Sequence, residues 1–184
     1  MRQLGFNLEI IRGETTSVTY TFTDRYGHPF ILPTTATYAF LQLHFKVKDN
    51  AYSISTDTYI IDKVFDVNSY KRFDSVDIIN IQTYSPSTYN ALMWDDSEPP
   101  LEADMNRLFY HPALNEYRYY DSVSASWVIY EFVVTIPFEI ADTVNLDYKV
   151  YSYDLVLEAG TDANTITYNK VMISQHSLTI TYRV

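Results

Sequence analysis

The chain has 184 residues, 47% of them apolar, 20% charged and 16% aromatic, with 13 Lys and Arg against 23 Asp and Glu for a net charge of −10. That length and apolar content suit a domain with a core of its own and exclude wholesale disorder. The acidic balance argues against nucleic acid or an anionic membrane as partner, because phosphate needs cations to neutralise it.

Taken in order, the apolar residues repeat with a period of two, as in strands that have one buried and one wetter face. In Phe6–Ile11, the residues Phe6, Leu8 and Ile10 alternate with Asn7 and Glu9. In Thr16–Thr23, Val18, Tyr20 and Phe22 oppose Thr19, Thr21 and Thr23. Asp24-Arg25-Tyr26-Gly27, followed by Pro29, has the Asp-first, Gly-fourth signature of a type I turn. Ala39–Lys48 then sets Leu41, Leu43, Phe45 and Val47 against Gln42, His44, Lys46 and Lys48.

The stretch from Tyr84 to Ser126 departs from this pattern. It holds Pro86, Pro99, Pro100 and Pro112, an acidic run (Asp95, Asp96, Glu98, Glu102, Asp104) and many aromatics. So many aromatics do not belong in a disordered linker. The stretch reads as an ordered insertion within one domain spanning residues 1–184, and long insertions in compact domains are usually functional. Leu108–His111 and Glu116–Asp121 form a predicted hairpin closed by Pro112-Ala113-Leu114-Asn115.

Beyond it, Trp127–Ile136 reads as one alternating strand, with Val128, Tyr130, Phe132, Val134 and Ile136 on one face. Ala141–Val144 suits a single helical turn. Tyr151–Glu158 sets Tyr151, Tyr153, Leu155 and Leu157 against Ser152, Asp154 and Glu158. Glu158–Asp162 reads as a turn, Ser174-Gln175-His176 as the connection between the last two strands, and Leu178–Val184 as the final strand. The predicted fold is all-β: a sandwich of two mostly antiparallel, Ig-like sheets with a long insertion.

Little in the chain points to catalysis. There is no cysteine, which excludes disulfides, thiolate nucleophiles and Cys-ligated metal. The opening residues lack the apolar run of a signal peptide, and no apolar stretch is long enough to span a membrane. His28, His44, His111 and His176 are scattered, without the spacing of a zinc site, and read as ordinary turn and strand histidines. The acidic run lacks calcium-loop spacing and reads as a solvated face. A glycosidase needs two carboxylates about 5 to 10 Å apart, but no pair here is marked out from the others. A nucleophile elbow is absent, and with 4 glycines the chain is poor in the loops that cradle phosphate. No catalytic, metal or cofactor residue is therefore assigned. The remaining candidates are contact residues in the insertion: Tyr89, Met93, Trp94, Leu101 and Tyr110. Tyr, Trp and Met are enriched where proteins meet, and aromatics also stack on sugar rings. Trp127, at the start of an alternating strand, reads instead as a packing residue.

Both ends of the chain carry a family pattern. Leu8-Glu9-Ile10-Ile11-Arg12-Gly13-Glu14-Thr15 is followed by a Thr-rich strand, the Asp24–Gly27 turn and Pro29-Phe30-Ile31-Leu32. Near the other end, Ala141-Asp142-Thr143 precedes Tyr151-Ser152-Tyr153-Asp154-Leu155. This resembles the N-terminal domain of bacteriophage baseplate upper proteins and related Ig-like domains of phage tail and neck proteins. The resemblance covers residues 4–48 and 136–184 and does not extend to the insertion. It implies a non-enzymatic structural protein of the virion, such as a tail, baseplate or neck/collar adaptor subunit. The expected partners are other virion proteins, with a homo-oligomer or ring in the particle. The alternatives are a carbohydrate-binding module for host attachment and a capsid accessory or decoration protein.

Overall fold

A computed structural model describes residues 7–24, 26–32, 40–49, 59–67, 69–73, 78–84, 99–162 and 165–182. The chain is all-β. Its main layer is a five-stranded sheet in the order β1 (Leu8–Ile11), β11 (Thr165–Thr181), β10 (Val150–Asp162), β3 (Phe40–Lys48), β4 (Ile61–Asp66). The facing layer is the pair β2 (Thr16–Thr21) and β9 (Val133–Phe138). Pairing is antiparallel throughout these layers except that β1 runs parallel to β11.

The alternating residues read from the sequence meet between the layers. Phe45 of β3 lies 5.2 Å edge-on to Phe138 of β9 and 5.0 Å from Tyr153 of β10. The Tyr20 hydroxyl donates to the Tyr153 hydroxyl across the core at 3.1 Å. Phe22, Phe30 and Leu32 complete the same cluster. Gly13 and Gly27 hold φ of +73° and +86°, the left-handed backbone that glycine enters without steric cost, at the turn from β1 into β2 and at the Asp24–Gly27 turn.

A further sheet has the order β5 (Ile78–Asn80), β6 (Leu108–His111), β7 (Glu116–Asp121), β8 (Ser126–Ile129), with β5 parallel to β6. The predicted β6–β7 hairpin forms with the expected bounds. Its Asn115 takes φ +54°, which Asn tolerates better than most residues. Both faces of this sheet are covered. Leu108 and Tyr117 pack with Phe73 and Tyr130 in one cluster, while Phe109 and Ile81 form another.

Four expectations change. The predicted Trp127–Ile136 strand is two strands in different sheets. Tyr130 still donates its N–H to Tyr117, but Phe132 already accepts from Phe22, so the chain changes sheets between them. The alternation continues unbroken across the switch because Tyr130 and Phe132 are both buried.

Glu158–Asp162 is not a turn. It completes β10, where Glu158 pairs with Gln42 on one side and Asn169 on the other. Neighbours on both sides, Phe40 and Ile166, override the turn preference of Gly160, while Asp162 pairs with Thr165 alone.

Ser174–His176 is not a connection either, since it lies inside β11. Tyr153 pairs with His176 and Leu155 with Ile173, so Asp154 faces two residues of β11 at a bulge. Further register shifts of this kind reconcile a strand of 13 residues with one of 17.

Finally, β4 and β5 form where no alternating run marks a strand in the sequence. In β4, Lys63 lies between Ile61 and Phe65 while Val64 faces outward and is 49% exposed, so the apolar residues do not keep to one face. The Lys63 ammonium lies over the Phe138 ring at 5.7 Å and meets Asp142 of α1 (Ile140–Thr143). That helix is the single turn expected just before Tyr148.

Candidate functional site

Of the five contact candidates, Tyr89, Met93 and Trp94 lie outside the described residues. Leu101 and Tyr110 are both ordered but belong to different surroundings. Leu101 is exposed and precedes a 3₁₀ turn, Glu102–Asp104. Its N–H reaches the Tyr84 hydroxyl, which itself donates to Asp104 at 2.8 Å. Tyr84 in turn packs edge-on against Phe109. Tyr110 follows Phe109 in β6 and therefore points to the other side of the sheet. There it stacks on Tyr117 at 4.6 Å and meets the His28 ring at 5.6 Å. The structure does not bring these two residues onto one surface.

The remaining candidates are structural in their contacts. Trp127 lies edge-on to Phe109 at 5.0 Å and to Tyr120 at 5.7 Å, in keeping with its reading as a packing residue. His111 is buried and its Nδ1 accepts the Leu114 N–H, which tightens the β6–β7 turn. His28 faces Asp24 at 3.4 Å. Burial raises the Asp24 carboxyl, but the N–H groups of Tyr26 and His28, with the His28 ring, outweigh it and hold the group below the usual carboxylate range. Asp104 is shared between Tyr84 and Arg107, and Asp95, Asp96 and Glu98 fall outside the described residues. Among the described residues, no group of three or more His, Asp or Glu is arranged to hold a metal ion, and no helix is long and apolar enough to cross a membrane.

The five-stranded sheet carries charge on the face away from the core. His44 of β3 places Nδ1 3.1 Å from Asp62 of β4 and Nε2 3.4 Å from Glu158 of β10. Lys46 reaches Glu158 at 2.7 Å, and Lys48 reaches Asp154 at 3.5 Å. The Lys46 and Lys48 ammonium groups also lie over the Tyr59 ring. Only 7% of the Glu158 side chain reaches solvent. A carboxylate that deep is retained only when paired.

One surface went unmarked in the sequence. Where β10 begins and β11 ends, Ile140, Val144, Tyr148, Val150 and Tyr182 are all exposed large apolar residues. Tyr148 and Tyr182 meet edge-on at 5.6 Å. The Arg12 guanidinium lies over Tyr148 at 5.0 Å, and its Nε donates to the Val144 carbonyl at 2.7 Å. The first strand, the short helix and the last strand are thus drawn together at one end of the sheet. Scattered apolar surface residues are ordinary, whereas contiguous ones mark contact surfaces. The signal is weak in the sequence, since these residues sit singly among polar neighbours and meet only once β1, β10 and β11 pair. No protein-family model matches the chain, and neither the curated proteins nor the solved structures give a significant match.

Proposed function

We propose that this chain is a non-enzymatic structural subunit of a bacteriophage particle, in a tail, baseplate or neck assembly. In this reading it resides in the virion and contacts other virion proteins, with copies of itself forming an oligomer or ring. The carrying observation is the exposed apolar end formed by Val144, Tyr148, Val150 and Tyr182 and braced by Arg12. An interface favours Tyr and Arg anchors of this kind over Lys, Asp and Glu. It lies on the two chain ends that carry the resemblance to baseplate domains, since β1 pairs with β11 and β11 with β10.

The test is mass photometry of the purified chain with negative-stain microscopy, repeated on Tyr148→Ala/Tyr182→Ala. Both side chains are more than half exposed, so the fold is expected to survive their loss. A defined oligomer that falls apart in the double variant supports the reading. A strict monomer that also fails to join particles when supplied to an assembling phage lysate overturns it.

A further inference from the structure

The joint between the four-stranded sheet and the sandwich holds two clefts that the assembly reading does not use. The segment 129–131 leaves β8 and crosses toward β9. It is fixed there by Tyr130, whose hydroxyl accepts the Leu32 N–H at 3.0 Å and whose own N–H donates to Tyr117 at 2.7 Å. On one side lies a cleft of about 280 Å³ walled by Ser69, Tyr70, Lys71 and Tyr119. On the other lies one of about 140 Å³, walled by Thr21, Thr23, Asn115, Glu116 and Tyr117. Ile129, Tyr130 and Glu131 line both.

Their chemistry is specific. Each cleft is smaller than the several hundred Å³ typical of a drug-sized pocket, the scale of a single ring. Ile129 is 50% exposed and stands as an apolar ridge between them. Glu131 is exposed and, among the described residues, forms no ion pair, whereas Glu116 is held by Arg118. Thr21, Thr23 and Ser69 supply hydroxyls that both donate and accept, and tyrosines form the walls. Among the described residues, no cation lines the smaller cleft, and in the larger one Lys71 is the sole cation, with its ammonium 5.4 Å above the Tyr119 ring. Phosphate or sulfate would need more positive charge than this. Tyr117 and Tyr130 are buried and Lys71 lies over Tyr119, so the exposed Ile129 offers the apolar contact, and a ligand that presents hydroxyl donors to a carboxylate and ring C–H groups to Ile129 fits the surface.

We infer that the two clefts form a binding site for a neutral oligosaccharide. One ring sits on each side of Ile129, and Glu131 accepts hydroxyl hydrogen bonds from both. This inference does not depend on the assembly reading, because a subunit of any assembly, or none, can carry the site.

The experiment is a titration of the ¹⁵N-labelled full chain, followed by amide shifts, with maltotetraose, cellotetraose and chitotetraose in turn and inorganic phosphate as the anionic control. At least one tetrasaccharide is expected to shift residues 69–71, 115–119 and 129–131 saturably while phosphate does not. Glu131→Ala and Ile129→Ala, both on exposed side chains, are expected to weaken that binding about tenfold or more with unchanged melting temperature. Three results overturn the inference: no tetrasaccharide shifts these residues up to about 10 mM, beyond the millimolar range of weak specific binding; phosphate shifts them instead; or both variants bind as the parent does.

Discussion

Replacing Glu158 with alanine tests whether the charge ladder on the outer face of the sheet behaves as a buried network or as surface decoration. Its carboxylate accepts from Lys46 at 2.7 Å and faces His44 at 3.4 Å, and 13% of the Lys46 side chain reaches solvent. Removing the acid leaves the Lys46 ammonium over the Tyr59 ring, with Asp62 and Asp154 opposite Lys46 on the neighbouring strands. Breaking a buried pair from one side costs about 3 to 5 kcal/mol, because the surviving charge stays desolvated. The lower end applies here, since the Tyr59 ring remains and the lysine stem can carry its head toward water. The expectation is about 3 kcal/mol, or a fall in melting temperature of roughly 6 to 12 °C for a domain of this size. The double replacement Lys46→Met/Glu158→Leu removes both charges together and is expected to lie within about 1 kcal/mol of the parent. Urea unfolding of the parent, Lys46→Met, Glu158→Leu and the double variant gives the coupling energy directly. If Glu158→Ala costs less than about 1 kcal/mol, the pair is worth no more than an exposed one and the reasoning fails.

Other outcomes follow from single contacts. Tyr20→Phe removes the hydroxyl that donates to Tyr153 in the core and is expected to cost about 1 to 2 kcal/mol, whereas Tyr20→Phe/Tyr153→Phe, which removes both partners, is expected to cost less; chemical denaturation of both variants checks the difference. Burial raises the Tyr20, Tyr130 and Tyr153 phenols above their ordinary value near 10. The folded state therefore holds these protons after the unfolded state has released them, so stability is complete below about pH 10 and declines as pH rises beyond it; ultraviolet titration should show the last phenolate absorbance appearing together with unfolding. Gly27→Ala meets no atom within 4 Å of its new Cβ but keeps φ +86°, so the cost should be backbone strain alone, about 1 kcal/mol, measured by melting temperature. Trp127→Ala removes the edge-on contacts to Phe109 and Tyr120 and should loosen β5–β8 while leaving the Phe45–Phe138 core intact; hydrogen exchange resolves the two regions.

Local alternation was enough to place β1, β2, β3 and most of β10, because each buries one face and a period of two is visible without its partner. Turn chemistry marked the Asp24–Gly27 reversal and the β6–β7 hairpin, whose constraints are local. Strand pairing was decided only in three dimensions. Whether Gly160 turns the chain depends on its partners on neighbouring strands, Phe40 and Ile166. Whether Ser174-Gln175 bulges depends on a mismatch with β10 that no local pattern encodes.

The surfaces proposed for contact follow the same rule. Arg12, Val144, Tyr148 and Tyr182 come from opposite ends of the chain and meet because β1 joins β11 in parallel. The clefts around Ile129 exist because an alternating segment that looks continuous in sequence leaves one sheet at Tyr130 and enters another by Val133. Residue identity along the chain determined the β-rich character, the aromatic core and the acidic surface. The partners of each strand, and hence every candidate site, were determined by long-range pairing, whose favourable free energy comes from burying both faces of a contact at once.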